Sequence, residues 1–254
     1  MGRLENRTAV ITGGGGGIGL EIARRFSSEG ASVVTCGRTE AKLREAASLI
    51  SHRSDGVLCV SADIAIEKDA ATLMKKAFQW KGRLDNLVNN AAAMRVNKPP
   101  EETTLAEWTS VIDPNINGTF LCSREAGKIM IGQKYGRIIT ISSLSSFIVN
   151  KYFHGGSYEV SKAALNMLTK VLAVEWAPYN ITVNAIAPGY YDTQPNRDFF
   201  AVEKGLSEKL LDMIPARKLG TLEEIGNLAL LLASDMATYM TGSVITIDGG
   251  YSLW

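Results

Sequence analysis

Two residues with chemistry stand four apart in Ser157-Tyr158-Glu159-Val160-Ser161-Lys162. Positions i and i+4 share one face of a helix, so a phenol at 158 and an ammonium at 162 lie within reach of each other. Held that way, they make a proton donor of adjustable acidity. An unperturbed tyrosine, with a pKa of about 10, grips its proton too tightly to trade it near neutrality. A neighbouring cation favours the phenolate and lowers that value. Reaching about 7 takes roughly 3 units, or about 4 kcal/mol of differential interaction. One fixed charge in a partly dry cleft can meet that demand. The same spacing also fits a surface tyrosine and a solvated lysine on an amphipathic helix, so the rest of the chain must decide.

The elements that would position the pair start near residue 8. Thr8 to Thr12 reads as a short buried strand, Gly13 to Gly19 (GGGGGIG) as a turn, and Leu20 to Glu29 as a helix. A glycine run alone is weak evidence, since it can be a plain flexible loop. Between a first strand and a first helix it means more. Glycines let the backbone approach a pyrophosphate, and a helix N-terminus offers free N–H groups and the positive end of a dipole. The pattern is Thr-Gly-x-x-x-Gly-x-Gly on Thr12, Gly13, Gly17 and Gly19, with Ile18 between the last two. It holds one residue more between its first two glycines than the GxGxxG fingerprint needs.

Further β-branched runs follow at Ser32–Cys36, Val57–Ser61, Asn86–Asn89, Arg137–Ser142, Ile181–Ala187 and Val244–Ile247, with helical patterns between them. Continuous apolar strands alternating with helices predict an α/β fold, a parallel sheet covered on both faces. Right-handed crossovers make it doubly wound, and ligands then bind beyond the carboxyl ends of the strands. A length of 254 residues fits one domain. A net charge of +1 points to neither nucleic acid nor an acidic membrane as partner. Cys36, Cys59 and Cys122 sit in or beside apolar runs, without metal spacing, and read as core residues in a reducing compartment. No apolar run reaches membrane-spanning length, and MGRLENRTAV lacks the apolar stretch of a signal peptide. The expectation is a cytoplasmic, single-domain protein without a metal.

The glycine spacing together with the Tyr158/Lys162 pair resembles the short-chain dehydrogenase/reductase family, across essentially the whole length. Asp63, Asn89-Asn90-Ala91, Asn115, Ser142-Ser143 and Pro188-Gly189 follow in the family's order. The resemblance implies a seven-stranded Rossmann-type domain over residues 1–254, with a variable substrate lid at about 190–219. It implies an NADP(H)-dependent oxidoreductase that interconverts a ketone and a secondary alcohol. Tyr158 would be the acid/base. Ser143 would steady the substrate oxygen, with Ser142, Ser145 and Ser146 as rivals. Lys162 would bind the nicotinamide ribose and lower the Tyr158 pKa. Asn115 would hold a water against the lysine, with Asn117 as rival; Pro114 before it has no reading.

The second strand ends Gly37-Arg38-Thr39, with no carboxylate to bind a ribose 2′-hydroxyl or repel a 2′-phosphate. Arg38 offers a guanidinium fork to such a phosphate, helped by Thr39; the alternative is a solvated loop arginine. By resemblance, Asp63 and Ile64 contact the adenine, Asn90 lies near the cofactor ribose, and Thr193 with the Tyr191 backbone meets the carboxamide. Thr193 also suits a helix N-cap. Ala92 stands where the family usually has glycine. Ser143 and Tyr158 are 15 residues apart, about two more than is usual, and the excess falls in Ile148–Gly156.

His154 and Tyr190 are candidate substrate contacts beside Ser143. Tyr190-Tyr191, Phe199-Phe200, Gln194, Asn196 and Arg197 furnish the lid, and His52 reads as surface. Trp80, Trp108 and Trp176 read as packing residues. The wording Ser-Tyr-Glu-Val-Ser-Lys resembles gluconate 5-dehydrogenase-like and polyol dehydrogenase members, so the expected substrate is a sugar acid, ketose or polyol. A 3-oxoacyl-carrier-protein reductase is the alternative, with Lys128, Lys134 and Arg137 as a docking patch for an acidic carrier. A non-catalytic NADPH sensor or scaffold is an alternative of another class. Resemblance also implies a homotetramer built on helices Pro114–Gln133 and Ser157–Tyr179, with the terminal Leu253-Trp254 buried at a contact.

Overall fold

The computed structural model describes residues 2–51, 56–194, 196–197 and 205–253. His52, Phe199, Phe200 and Trp254 lie outside the described residues. One sheet holds seven parallel strands in the order β3-β2-β1-β4-β5-β6-β7. In chain order they are β1 Thr8–Thr12, β2 Ser32–Gly37, β3 Val57–Ser61, β4 Asn86–Asn89, β5 Gly136–Ile141, β6 Ile181–Pro188 and β7 Val244–Ile247. The helices are α1 Gly17–Ser28, α2 Glu40–Ile50, α3 Glu67–Lys81, α4 Leu105–Ile112, α5 Gly118–Gln133, α6 Ser157–Trp176, α7 Leu206–Met213 and α8 Leu222–Ala233.

The two-residue repeat of a strand sorts side chains between two cores. Within β1, Ala9 and Ile11 face the core made with α1 and α8, while Val10 faces the core made with α3 and α5. Helices cover both faces of the sheet, which is why β1, β4, β5 and β6 carry unbroken buried runs rather than alternating burial. Strand order reverses between β1 and β4, and a cleft of about 1080 Å³ opens at their carboxyl ends.

Some element boundaries depart from expectation for local reasons. Helix α1 begins at Gly17 rather than Leu20, because the Leu20 N–H already bonds back to Gly16 O at 3.2 Å. Strand β5 runs one residue earlier than expected, although Ser142 still donates to Ile186 O at 2.7 Å. Pro114 lies in a π-helical turn, Asp113–Asn117, that carries α4 straight into α5. Proline has no N–H for the α ladder, and the wider turn accommodates the missing rung.

Candidate active site

The glycine turn is pinned from below. Thr12 Oγ1 donates to Val88 O at 3.3 Å and accepts from the N–H groups of Asn90 (3.0 Å) and Ala91 (3.1 Å). The Asn90 amide donates to Thr12 O at 3.0 Å and Gly13 O at 3.1 Å. A Cβ at Gly19 would stand 2.4 Å from both the Asn90 amide nitrogen and Gly13 O, so this crossing tolerates no side chain. Gly13 and Gly17 take φ of +68° and +52°, where glycine is favoured. A Cβ at Gly16 or Gly17 would meet nothing within 4 Å. The turn is closed toward the protein and open toward the cleft, as a pyrophosphate cradle requires.

The reacting groups come from β5 and α6. Tyr158 and Lys162 both line the cleft, and Lys162 Nζ stands 5.6 Å from the Tyr158 ring centroid. The buried stripe of α6 at Ser161, Lys162, Leu165, Thr169, Leu172 and Ala173 turns this pair inward. Ser143 lines the same cleft, and its hydroxyl is near enough to lower the Tyr158 phenol. The other serines are committed elsewhere. Ser142 donates to Asn166 Oδ1 at 2.7 Å. Ser145 accepts from Asn150 at 2.8 Å, and Ser146 donates to Ser143 O at 2.6 Å.

Asn115 is buried and faces inward, whereas Asn117 is exposed and bonds its own turn at Asp113. The Asn115 amide donates to Ala93 O at 3.1 Å and Ser161 Oγ at 3.0 Å, and its carbonyl accepts from Ala93 N–H at 2.7 Å. It thereby ties the loop after β4 to α6.

The electrostatics of the pair are set first by burial. Burial, the largest cause, raises the Tyr158 phenol above its ordinary value; the Ser143 hydroxyl and the Arg95 charge lower it, and Glu159 raises it. Lys162 is not among these influences. Its ammonium donates to Ile141 O at 2.8 Å, and burial holds it down at about 8.

Arg38, Thr39, Asp63, Ile64, Tyr191 and Thr193 line the same cleft. Arg38 is exposed, and Thr39 precedes α2 without a side-chain capping bond. Asp63 Oδ1 accepts from Ala65 N–H at 3.0 Å, which aims the loop after β3. The Tyr191 phenol is buried and donates to Ile247 O at 2.9 Å. Thr193 O accepts from Arg197 N–H at 2.9 Å.

His154 and Tyr190 are not on the cleft wall. His154 is exposed, with its N–H on Asn97 Oδ1 at 2.9 Å. Tyr190 donates to Asn150 Oδ1 at 2.9 Å and packs edge-on against Tyr251 in a small core with Leu144, Leu206 and Leu210.

The expected carrier patch does not form. Arg137 is 1% exposed, Lys128 pairs with Glu125 at 2.7 Å, and Lys134 and Arg137 sit at the amino end of β5, opposite the cleft. Trp80 and Trp176 pack against the second core, as expected, while Trp108 lines a separate shallow hollow with Val96, Leu105 and Gly156.

One residue escaped the sequence reading. Arg95 lies on the loop after β4, with its guanidinium paired to Glu159 Oε1 at 2.8 Å. The guanidinium carbon stands 5.0 Å from the Tyr158 ring centroid and 4.6 Å from that of Phe153. Only the run Asn89-Asn90-Ala91-Ala92-Ala93-Met94-Arg95, leaving a strand end at the switch point, could have flagged it.

Comparison with known proteins agrees with this geometry. A family profile described as enoyl-(acyl carrier protein) reductase matches residues 14–252. Galactitol 2-dehydrogenase (L-tagatose-forming) of Cereibacter sphaeroides is 37% identical over 99% of this chain and 97% of its own. A 3-oxoacyl-[acyl-carrier-protein] reductase of Aquifex aeolicus is 34% identical, with 98% of each chain covered. The crystal structure of a short-chain type dehydrogenase/reductase from Mycobacterium marinum superposes with a TM-score of 0.90 at 34% identity, covering 98% of this chain and 96% of the other. The chain belongs to the short-chain dehydrogenase/reductase family. It is therefore an oxidoreductase of the alcohol/carbonyl couple, and its cofactor is a nicotinamide dinucleotide, which the glycine cradle fits. No described helix is long and apolar enough to cross a membrane.

Proposed function

We propose that the protein interconverts a ketone and a secondary alcohol of a sugar acid, ketose or polyol, with NADP(H) as cofactor. The observation that carries the reading is that Ser143, Tyr158 and Lys162 line one cleft that also reaches the glycine turn and Arg38. The dinucleotide supplies or takes up the hydride at the carbinol carbon. Gly13, Gly17, Ile18, Gly19, Asp63, Ile64, Asn90, Tyr191 and Thr193 would hold it. In reduction, Tyr158 gives its proton to the carbonyl oxygen; in oxidation it takes the proton back. Ser143 donates a hydrogen bond to the same oxygen as charge develops there. Lys162 keeps a positive charge beside the pair. Asn115 holds the loop after β4 against α6.

The likeness to galactitol 2-dehydrogenase supports a hydroxylated substrate. Absence of the basic patch weighs against an acyl-carrier substrate. A panel of ketoses, sugar acids, polyols and acyl thioesters, each with NADPH and NADH, tests the reading. Turnover confined to thioesters would overturn the substrate class. For the cofactor, Arg38→Asp should lower kcat/KM with NADPH at least about tenfold and favour NADH, by repelling a 2′-phosphate and accepting from a 2′-hydroxyl. Equal use of both by the wild type would defeat the NADP(H) assignment.

For assembly, the reading is a homotetramer on α5 and α6. Phe120, Val160, Met167, Val171 and Val174 stand exposed along them, an apolar surface suited to burial. Light scattering of a Met167→Glu, Val174→Glu variant should show smaller particles than the wild type.

A further inference from the structure

The segment from Ser143 to Gly156 forms a strap between β5 and α6, and Arg95 touches it at two places and the first turn of α6 at a third. Its Nη2 donates to Ser145 Oγ at 3.3 Å near one end. Its guanidinium lies over the Phe153 ring in the middle. Just past the other end it pairs with Glu159, whose second oxygen accepts from Gly156 N–H at 3.0 Å. Both partners are withdrawn from water, with side chains 15% and 9% exposed. The same guanidinium lies against the Tyr158 ring.

We propose that Arg95 and Glu159 form a positioning pair that fixes the strap between β5 and α6 and sets, by opposed charges, the acidity of the Tyr158 hydroxyl. This rests on the reading of Tyr158 as acid/base. A cation and an anion at similar range act on a phenol with opposite signs, so the balance between them tunes it. The directions agree: Arg95 lowers Tyr158 and Glu159 raises it. The other charged or titratable groups around Tyr158 are Lys162 on α6, Tyr190 after β6, and Lys151, Tyr152 and His154 on the strap. Burial pushes the Tyr190 phenol up, Lys151 lies over the Tyr152 ring, and His154 is exposed. Of these, Lys162 is also buried beside the Tyr158 ring, its Nζ 5.6 Å from the centroid, and it is left in place in every variant below. Breaking such a pair from one side leaves a buried charge alone, so the paired removal is the milder change.

The test is the pH profile of alcohol oxidation, which needs the phenolate, in Arg95→Met, Glu159→Gln, Arg95→Lys and the double variant. A second readout is tyrosinate absorbance of the cofactor-free protein, with Tyr158→Phe subtracted. Arg95→Met should move the Tyr158 step up by about one pH unit and Glu159→Gln should move it down by a similar amount. Arg95→Lys should restore most of the shift, and the double variant should return near wild type. Steps that move the same way in both single variants, or not at all, would overturn the proposal. If Arg95→Met does not fold, Glu159→Gln and the double variant still decide it. Substantial turnover by Tyr158→Phe would instead defeat the acid/base reading itself, a separate outcome.

Discussion

The two ends of one sheet hold their most deeply buried charges in opposite styles. At the amino ends of the strands, Asp85 is wholly buried and fully engaged. It accepts from Thr8 N–H at 2.8 Å, Arg7 at 3.2 Å and Arg83 at 2.7 and 2.6 Å. Beside it Arg137 donates to Gly136 O, Asn180 O and Asp235, and stacks with Arg7 on the Tyr135 ring. At the carboxyl ends, Lys162 is as deeply buried yet, among the described residues, has a carbonyl rather than a carboxylate as partner. Its ammonium is held down at about 8, and the Tyr158 phenol is held up. Charge closed on charge fixes a shape. Charge left for a ligand to answer fixes a reaction.

Substitutions at the carboxyl end should therefore cost turnover and spare the fold. Tyr158→Phe removes the proton and little volume. Turnover should fall by about 10²–10⁴-fold or more, with NADPH affinity by fluorescence and the Tm unchanged. Activity within tenfold of wild type would break the comparison at its stronger end.

Lys162→Met is the next test. Its folded pKa lies below the unfolded value of 10.5, so the folded chain binds fewer protons between about 8 and 10.5. Stability from this group thus rises with pH across that window, and the burial penalty is complete below about 8. Removing the lysine should abolish most turnover while leaving the Tm at pH 7 unchanged or higher. The gain should shrink as the pH approaches 10.5. A thermal shift series that shows a large Tm loss at pH 7 would mean that Lys162 is a structural residue.

The amino end should behave the other way. Asp85→Ala strands the Thr8 N–H and two arginines, which are partly exposed and so recover some hydration. Stability should fall on the order of 3 kcal/mol by urea unfolding, or roughly 6–12 °C in Tm, with kcat of the folded fraction unchanged. A tenfold loss of kcat at full folding would show that the two ends are coupled through the sheet.

These two styles were unequally legible in the sequence. The functional end is written in local spacing. A glycine turn after Thr12, a serine after β5 and Tyr158 four before Lys162 each have a motif's regularity, and the strands they follow are continuous apolar runs. The strand order then brings them to one cleft. The structural end is assembled from Arg7, Arg83, Asp85, Tyr135, Arg137 and Asp235, up to 228 positions apart, and only the fold brings them together. Arg137 therefore looked like a surface cation in the sequence, although the chain buries it. Arg95 was hidden for the same reason, since its partner Glu159 lies on another element. Electrostatic signs were hidden more deeply. An i, i+4 spacing brings an amine near a phenol, but burial of both decides which way each moves.

The smallest expected effect probes whether the amino-end network is redundant. The Tyr135 hydroxyl donates to Asp235 Oδ1 at 3.0 Å, and burial raises the phenol to about 12, so it stays a donor throughout the useful pH range. Asp235 also accepts from Arg7 and Arg137, and its side chain is 60% exposed. Tyr135→Phe keeps the ring under both guanidinium groups and removes one of three holds on a hydrated carboxylate. The loss should be about 1 kcal/mol or less. Tyr135→Leu removes the ring face as well and should cost more, by roughly 0.5–1 kcal/mol for each cation it no longer receives. Equal losses in the two variants, measured by urea unfolding, would assign the stability to the hydroxyl and deny the stacked arginines any part in it.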